Sequence, residues 1–155
     1  MHCYLVRHGQ AKSEIEDPAR PLSDRGREEV TRVSRHMRAM GLRVAKIRHS
    51  GKLRARQTAE ILAEHLSPTG GIHDMEGLAP MDNPDRARAA IEAAREPVML
   101  VGHLPHLSRL ASVLILGDSD QEILQFKAGA IACLDRVEGR FQLQWLLTPS
   151  LVGWQ

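Results

Sequence analysis

Cysteine is nearly absent from this 155-residue chain: Cys3 and Cys133 are the only two, and no Cys-x-x-Cys spacing occurs. That excludes a disulfide framework or a zinc ribbon, and both thiols are expected simply to pack in strands. Aromatic residues make up only 3% of the chain, which leaves little to stack on nucleobases. With Lys+Arg 21 against Asp+Glu 19, the formal net charge is only +2. Both facts argue against a nucleic-acid partner. No apolar run approaches the ~20 residues needed to span a bilayer, and no basic stretch followed by an apolar run opens the chain. A cytoplasmic protein without membrane contact is expected. No internal repeat or low-complexity segment occurs.

What is present fits one domain with a proper core. The chain is 43% hydrophobic, and 155 residues is short for two domains, so residues 1–155 are taken as a single, monomeric unit. Apolar runs alternate with helical spacing. From the N-cap candidate Ser23, Val30, Val33, Met37 and Met40 recur at helical intervals until Gly41. Arg25, Arg27, Arg32, Arg35 and Arg38 then line the solvated face of that helix. A second strand (Val44 to His49) leads to a helix with Leu53, Ile61, Leu62 and Leu66 inward. A short strand (Ile72 to Met75) leads through Pro80 and Pro84 to a helix with Ala87, Ala90, Ile91 and Ala94 inward. The most apolar strand starts at Pro97 and precedes a broadly buried helix (Leu107, Leu110, Ala111, Leu114, Ile115) that stops at Gly117. Strands around Ala130 to Asp135 and Phe141 to Leu147 flank Glu138-Gly139 as a hairpin. The expected architecture is a three-layer α/β/α sandwich, its sheet mostly parallel with an antiparallel edge strand.

Three strand ends carry chemistry. The run Leu5-Val6 stops abruptly on Arg7-His8-Gly9, which delivers a guanidinium fork, an imidazole and a close-approach glycine to the carboxyl edge of the sheet. Alone, that triplet is more often an ordinary loop start, so it needs partners. Ser50-Gly51-Lys52-Leu53-Arg54-Ala55-Arg56-Gln57-Thr58 follows the second strand and opens a helix, a natural anion site to which Arg54 adds charge. Pro97-Val98-Met99-Leu100-Val101-Gly102-His103 is another apolar strand ending in an imidazole. Convergence of Arg7, His8, Arg54 and His103 would suit phosphoryl transfer, in which catalysis is mostly positioning and charge stabilisation. A neutral His8 flanked by arginines can attack phosphorus, with His103 stabilising the transition state, and no metal or cofactor is needed.

These pieces, with Arg20-Pro21-Leu22-Ser23 and Gly26 between them, resemble the histidine phosphatase superfamily with its phosphoglycerate mutase-like fold, and within it the SixA-type phosphohistidine phosphatases. The resemblance covers essentially the whole chain. It implies His8 as nucleophile, and Arg7, Arg54 and His103 as groups that bind the phosphoryl oxygens. It also implies that the substrate is a phosphorylated histidine-containing protein of signalling or phosphotransfer. Gly9 belongs to the same substrate-binding set, and Ser50 and Glu76 are further candidates for it.

Several readings stay open at this level. His49 and Ser50 either edge the pocket or serve structurally, Arg56 points to solvent or helps the site, and Thr58 packs or caps. His2, His36, His65 and His73 read as surface residues or caps. The His103-Leu104-Pro105-His106 spacing resembles a metal pair, but Pro105 breaks the local helix and no third ligand motif accompanies it. Superfamily members acting on alkyl phosphates carry a glutamate proton donor; here Glu76 stands one position away and Gly77 takes its place. A site without that donor, and without long roofing insertions, would be shallow and suited to a protein surface. The alternatives are a phosphatase of small phosphate esters or a non-catalytic phosphoprotein-binding module.

Overall fold

The computed structural model describes residues 1–153. Its elements run β1 (His2–Arg7), α1 (Asp24–Ala39), β2 (Lys46–His49), α2 (Leu53–Leu66), β3 (Ile72–Asp74), α3 (Asp85–Ala93), β4 (Val98–Gly102), α4 (His106–Leu116), β5 (Ile131–Val137) and β6 (Arg140–Leu147), then a short 3-10 turn. One six-stranded sheet has the order β3-β2-β4-β1-β5-β6. The pairs β3–β2, β2–β4 and β4–β1 are parallel; β5 alone reverses, pairing antiparallel with both β1 and β6. The expected hairpin thus forms the sheet edge, with the reversed strand lying just inside it.

Burial explains why β1 and β4 are uninterrupted apolar runs. Covered on both faces, their alternate side chains feed two separate cores. Cys3, Leu5, Val98 and Leu100 pack with Ala87 and Ile91 of α3 and with Leu107, Leu110 and Leu114 of α4. Tyr4, Val6, Met99 and Val101 point the other way, into Val30, Val33 and Met37 of α1 and Ala55, Ala59 and Leu62 of α2. Both cysteines are free and buried within strands. Burial pushes their thiols up, Cys3 to about 12 and Cys133 to about 11, so they pack as small hydrophobes.

The helix ends follow local rules with one departure. Ser23 caps α1 by accepting the Gly26 N–H at 3.0 Å, and Asp24 and Arg38 oppose the helix dipole at its two ends. Met40, expected on the inward face, is instead the C-cap and 54% exposed. The chain reverses there, with the Leu42 N–H donating to the Met37 carbonyl, and Leu42 packs against the core in its stead. Among the described residues no helix is long and apolar enough to cross a membrane.

Candidate active site

The carboxyl ends of β1, β2 and β4 lie side by side, so the groups that follow them converge. Arg7 is in register with Gly102, and the His8 N–H donates to the Gly102 carbonyl at 3.1 Å, which fixes the end of β1 against the end of β4. The His8 and His103 rings then face each other at 4.9 Å between centroids, 54° apart. The second turn of α2 is fastened to the same loop. Thr58 Oγ1 accepts the Gly9 N–H at 3.1 Å and donates to the Arg54 carbonyl at 2.8 Å, while Gln57 Oε1 accepts the Leu22 N–H. Thr58 is therefore a structural link, completely buried. Gly9 must be a glycine for packing reasons, since a Cβ there would meet Val30 Cγ2 at 2.6 Å.

Hydrogen bonding fixes the tautomers. His8 Nδ1 lies 2.7 Å from the Gly9 carbonyl oxygen. A carbonyl can only accept, so Nδ1 carries the proton and Nε2 presents its lone pair. His103 Nε2 lies 2.5 Å from Ser50 Oγ, whereas His103 Nδ1 is buried without a partner. A buried N–H left unpaired costs more than a bare nitrogen, which assigns the His103 proton to Nε2, donating to Ser50.

The electrostatics are one-signed. Burial, and then the charges of Arg54, Arg7 and Arg20, push His8 down to about 4. Burial, His8 and Arg54 push His103 down to about 3, so both imidazoles are neutral at pH 7. Arg7 and Arg54 are themselves held below the usual arginine range by burial, Arg54 also by Arg20. Among the described residues neither has a carboxylate in ion-pair range. Arg7 Nη1 is tethered to the Phe126 carbonyl at 2.8 Å, yet Arg7 Nε and Arg54 Nε, like His103 Nδ1, are buried polar atoms without a hydrogen-bond partner. Of these three atoms the two guanidinium Nε–H groups are donors, and with the surplus of positive charge they suit the site to an oxyanion.

Arg20 is a residue that sequence reasoning did not place in the site. Its backbone is left-handed (φ 49°), its Nε donates to the Lys12 carbonyl at 3.1 Å, and its charge acts on both His8 and Arg54. The available signal was its position in the Arg20-Pro21-Leu22-Ser23 segment. The remaining candidates separate cleanly. Ser50 is in the site through His103. His49 is buried and accepts the Gly51 N–H through Nδ1, a turn contact, and Arg56 pairs on the surface with Glu60. Glu76 lies outside the pocket proper, its side chain 86% exposed and bonded to Arg86 at 2.9 Å. It borders an adjoining cleft of about 650 Å³ shared with Ser50, Gly77, Asp82 and Asp85. Gly77 has φ 92°, and a Cβ there would meet the Arg86 side chain at 2.9 Å, so a glutamate at 77 is disfavoured on both counts. His106 is completely buried behind the site, close enough to His103 to help push it down and facing Asp82 and Gly77 on its other side. Among the described residues no group of three or more His, Cys, Asp or Glu is arranged to hold a metal ion. A second cleft, about 590 Å³, opens at the opposite ends of β2 and β4 and contains none of these residues.

Known proteins resemble this chain in sequence and in fold. An uncharacterized protein of Picosynechococcus sp. is 35% identical over 139 residues, 84% of this chain and 83% of that protein. Phosphohistidine phosphatase SixA of Escherichia coli K12 is 24% identical over 155 residues, 96% of this chain and 94% of that protein. The solved structure of the protein histidine phosphatase SixA complexed with tungstate superimposes with a TM-score of 0.87 at 24% identity, covering 99% of this chain and 100% of that one. At such identities the likeness establishes the phosphoglycerate mutase-like fold. The family model for branch 1 of the histidine phosphatase superfamily matches residues 3–97, from within β1 through α2 to the start of β4. Because that match takes in Arg7-His8-Gly9 and Arg54 and spans well over half the chain, the protein belongs to the histidine phosphatase superfamily, branch 1, and is SixA-like within it.

Proposed function

We propose that this protein is a metal-independent phosphatase that hydrolyses phosphohistidine in a signalling or phosphotransfer protein through a phosphorylated His8. The observation that carries the reading is the His8 tautomer: Nδ1–H bound to the Gly9 carbonyl leaves an unprotonated Nε2 in a pocket of unpaired cationic donors. In the first step His8 Nε2 attacks phosphorus in line, the P–N bond of the substrate breaks, and the departing imidazole leaves neutral if its far nitrogen is already protonated. Arg7, Arg54 and the His103 Nε2–H, redirected from Ser50, stabilise the charge on the equatorial oxygens. Water then adds to phosphorus, the His8–P bond breaks, and phosphate departs with the imidazole restored. Gly9 supplies the backbone turn that holds the nucleophile, and no step requires a cofactor.

Substrate class follows from what borders the leaving group. Glu76 is bonded to Arg86 in solvent and position 77 is a glycine in a left-handed conformation, so neither supplies a general acid to the wall where superfamily esterases keep one. An alkoxide leaving phosphoserine needs such an acid, worth roughly 10²–10⁴-fold, whereas imidazole, with a conjugate-acid pKa near ~6.5, does not. The test is a comparison of kcat/KM on phosphohistidine and phosphoserine peptides, run with wild type and His8→Ala. Wild type should strongly prefer phosphohistidine and form an acid-labile, base-stable adduct, and His8→Ala should lose both adduct and turnover. Equal rates on the two peptides would favour the small-ester phosphatase. Phosphate-dependent binding without turnover would favour the binding module, and an active His8→Ala protein would remove His8 as nucleophile.

A further inference from the structure

Two loops rise beside the pocket, and each lifts one apolar side chain into water. The first leaves the nucleophile at Gly9. Its limbs are pinned by the Ala11–Leu22 bridge and by the Lys12 N–H donating to the Pro21 carbonyl at 2.8 Å. Beyond that clasp the chain closes a tight turn, with the Asp17 N–H on the Ser13 carbonyl and Ser13 bonded to Glu16. Ile15 stands at the tip, 97% exposed. The loop belongs to the pocket, because Arg20 at its base acts on His8 and Glu14 acts on Arg54. The second loop joins β3 to α3. Ala79 and Asp82 close a turn by two mutual hydrogen bonds, and Met81 at its apex is 73% exposed. This loop walls the cleft shared with Ser50, whose hydroxyl touches His103.

A lone exposed apolar residue needs no special account. Two at the tips of separate loops beside one pocket are a different matter, because the loops' own turns are closed by polar groups and do not use them. Charge narrows the choice of partner. The two loops carry Glu14, Glu16 and Asp17 in one and Glu76, Asp82 and Asp85 in the other, against Lys12, Arg20 and Arg86, with the exposed Lys52 beside His103. Both loops together are net anionic beside a cationic hole. A small phosphate dianion gains from the hole and is repelled by the loops. A protein surface on which the phosphoryl group sits among basic and apolar side chains gains from both.

We propose that Ile15 and Met81 are paired contacts of a docking face for a folded phosphoprotein whose phosphorylated residue projects from a basic, partly apolar surface. This rests on the phosphohistidine-protein reading above and names the surface that would recognise such a substrate. The test compares wild type with Ile15→Ser, Met81→Ser and the double variant on two probes: a histidine-containing phosphotransfer protein phosphorylated with phosphoramidate, and free phosphohistidine. Both positions are highly exposed, so the fold should survive substitution. The double variant should lose about tenfold or more in kcat/KM on the phosphoprotein, mainly through KM, as expected for truncated anchors at an interface. It should stay within about twofold of wild type on free phosphohistidine. Raising the salt should cost wild type more on the phosphoprotein than on the amino acid. Equal losses on both probes would place the two residues in the catalytic machinery, and no loss on either would put docking elsewhere; each result overturns this proposal while leaving the phosphohistidine reading standing. Wild type that turns over neither probe would overturn both.

Discussion

The middles and the ends of the same strands follow opposite rules. Between Leu5 and Val6, or Leu100 and Val101, every side chain is at most 1% exposed and apolar, packed against helices on one face or the other. One or two residues further on, β1 and β4 give way to Arg7, His8 and His103, partly or wholly buried and short of counter-charges. The middles contribute the burial that makes folding favourable. The ends spend part of that stability holding like charges together, and the repulsion is what an incoming phosphoryl dianion relieves. A site of this kind is affordable only because the layers beneath it are so completely apolar.

The comparison can be broken by exchanging the two costs. Arg54→Ala should slow turnover by about 10²–10³-fold, the usual loss of one preorganised donor, while raising the Tm because a cation facing Arg20 is gone. Leu134→Ala, at the far end of the sheet from the pocket, should do the reverse: destabilise by about 2–5 kcal/mol and leave kcat per folded molecule unchanged. Thermal melts and kinetics on both variants decide it. A fall in Tm for Arg54→Ala would show that the pocket is not strained by its charge.

Acid should expose the same strain without mutation. His8 and His103 titrate near 4 and 3 in the folded chain, against 6.5 in their ordinary state. Between those values the unfolded chain binds more protons than the folded one, so these groups cost no stability above pH 6.5 and progressively more as pH falls towards about 4. Denaturant midpoints measured across that range should fall on acidification, and a His8→Gln, His103→Gln double variant should show a flatter profile. The smallest effect belongs to the rim. Glu76→Gln removes a charge that water and Arg86 already satisfy, so phosphohistidine hydrolysis should change by less than about tenfold. A collapse of activity would mean that the carboxylate swings inward to act as an acid.

What could be read from the sequence was whatever local pattern controls. Apolar runs that stop on Arg7-His8-Gly9 and on Gly102-His103 announce strand ends, and Ser23 with the periodicity after it announces α1. The sheet hairpin was legible from two alternating segments around Glu138-Gly139. Residues that depend on distant partners were not legible. Arg20 reaches the pocket only through a left-handed kink tied to Lys12, and Arg7 is steadied by the carbonyl of Phe126, 119 positions away in a loop without pattern. Ser50 could be read either way until its hydroxyl was seen against His103, 53 residues on. Met40 kept the helical interval but lay one residue past the point where the chain turned back.

The strand order has a consequence for the making of the protein. β1 precedes the other described strands in the chain, yet its neighbours in the sheet are β4 and β5, and the Phe126 carbonyl that steadies Arg7 comes later than β4. His8, the proposed nucleophile, is therefore made before the segments that surround it and is among the last residues to acquire its setting. Pairings so remote along the chain close large loops before any contact repays them, which slows folding. Until β5 docks, β1 has an open edge, and its apolar run is the segment most in need of protection from pairing with another chain. Activity in a growing polypeptide is thus withheld until nearly all of the sheet has been made.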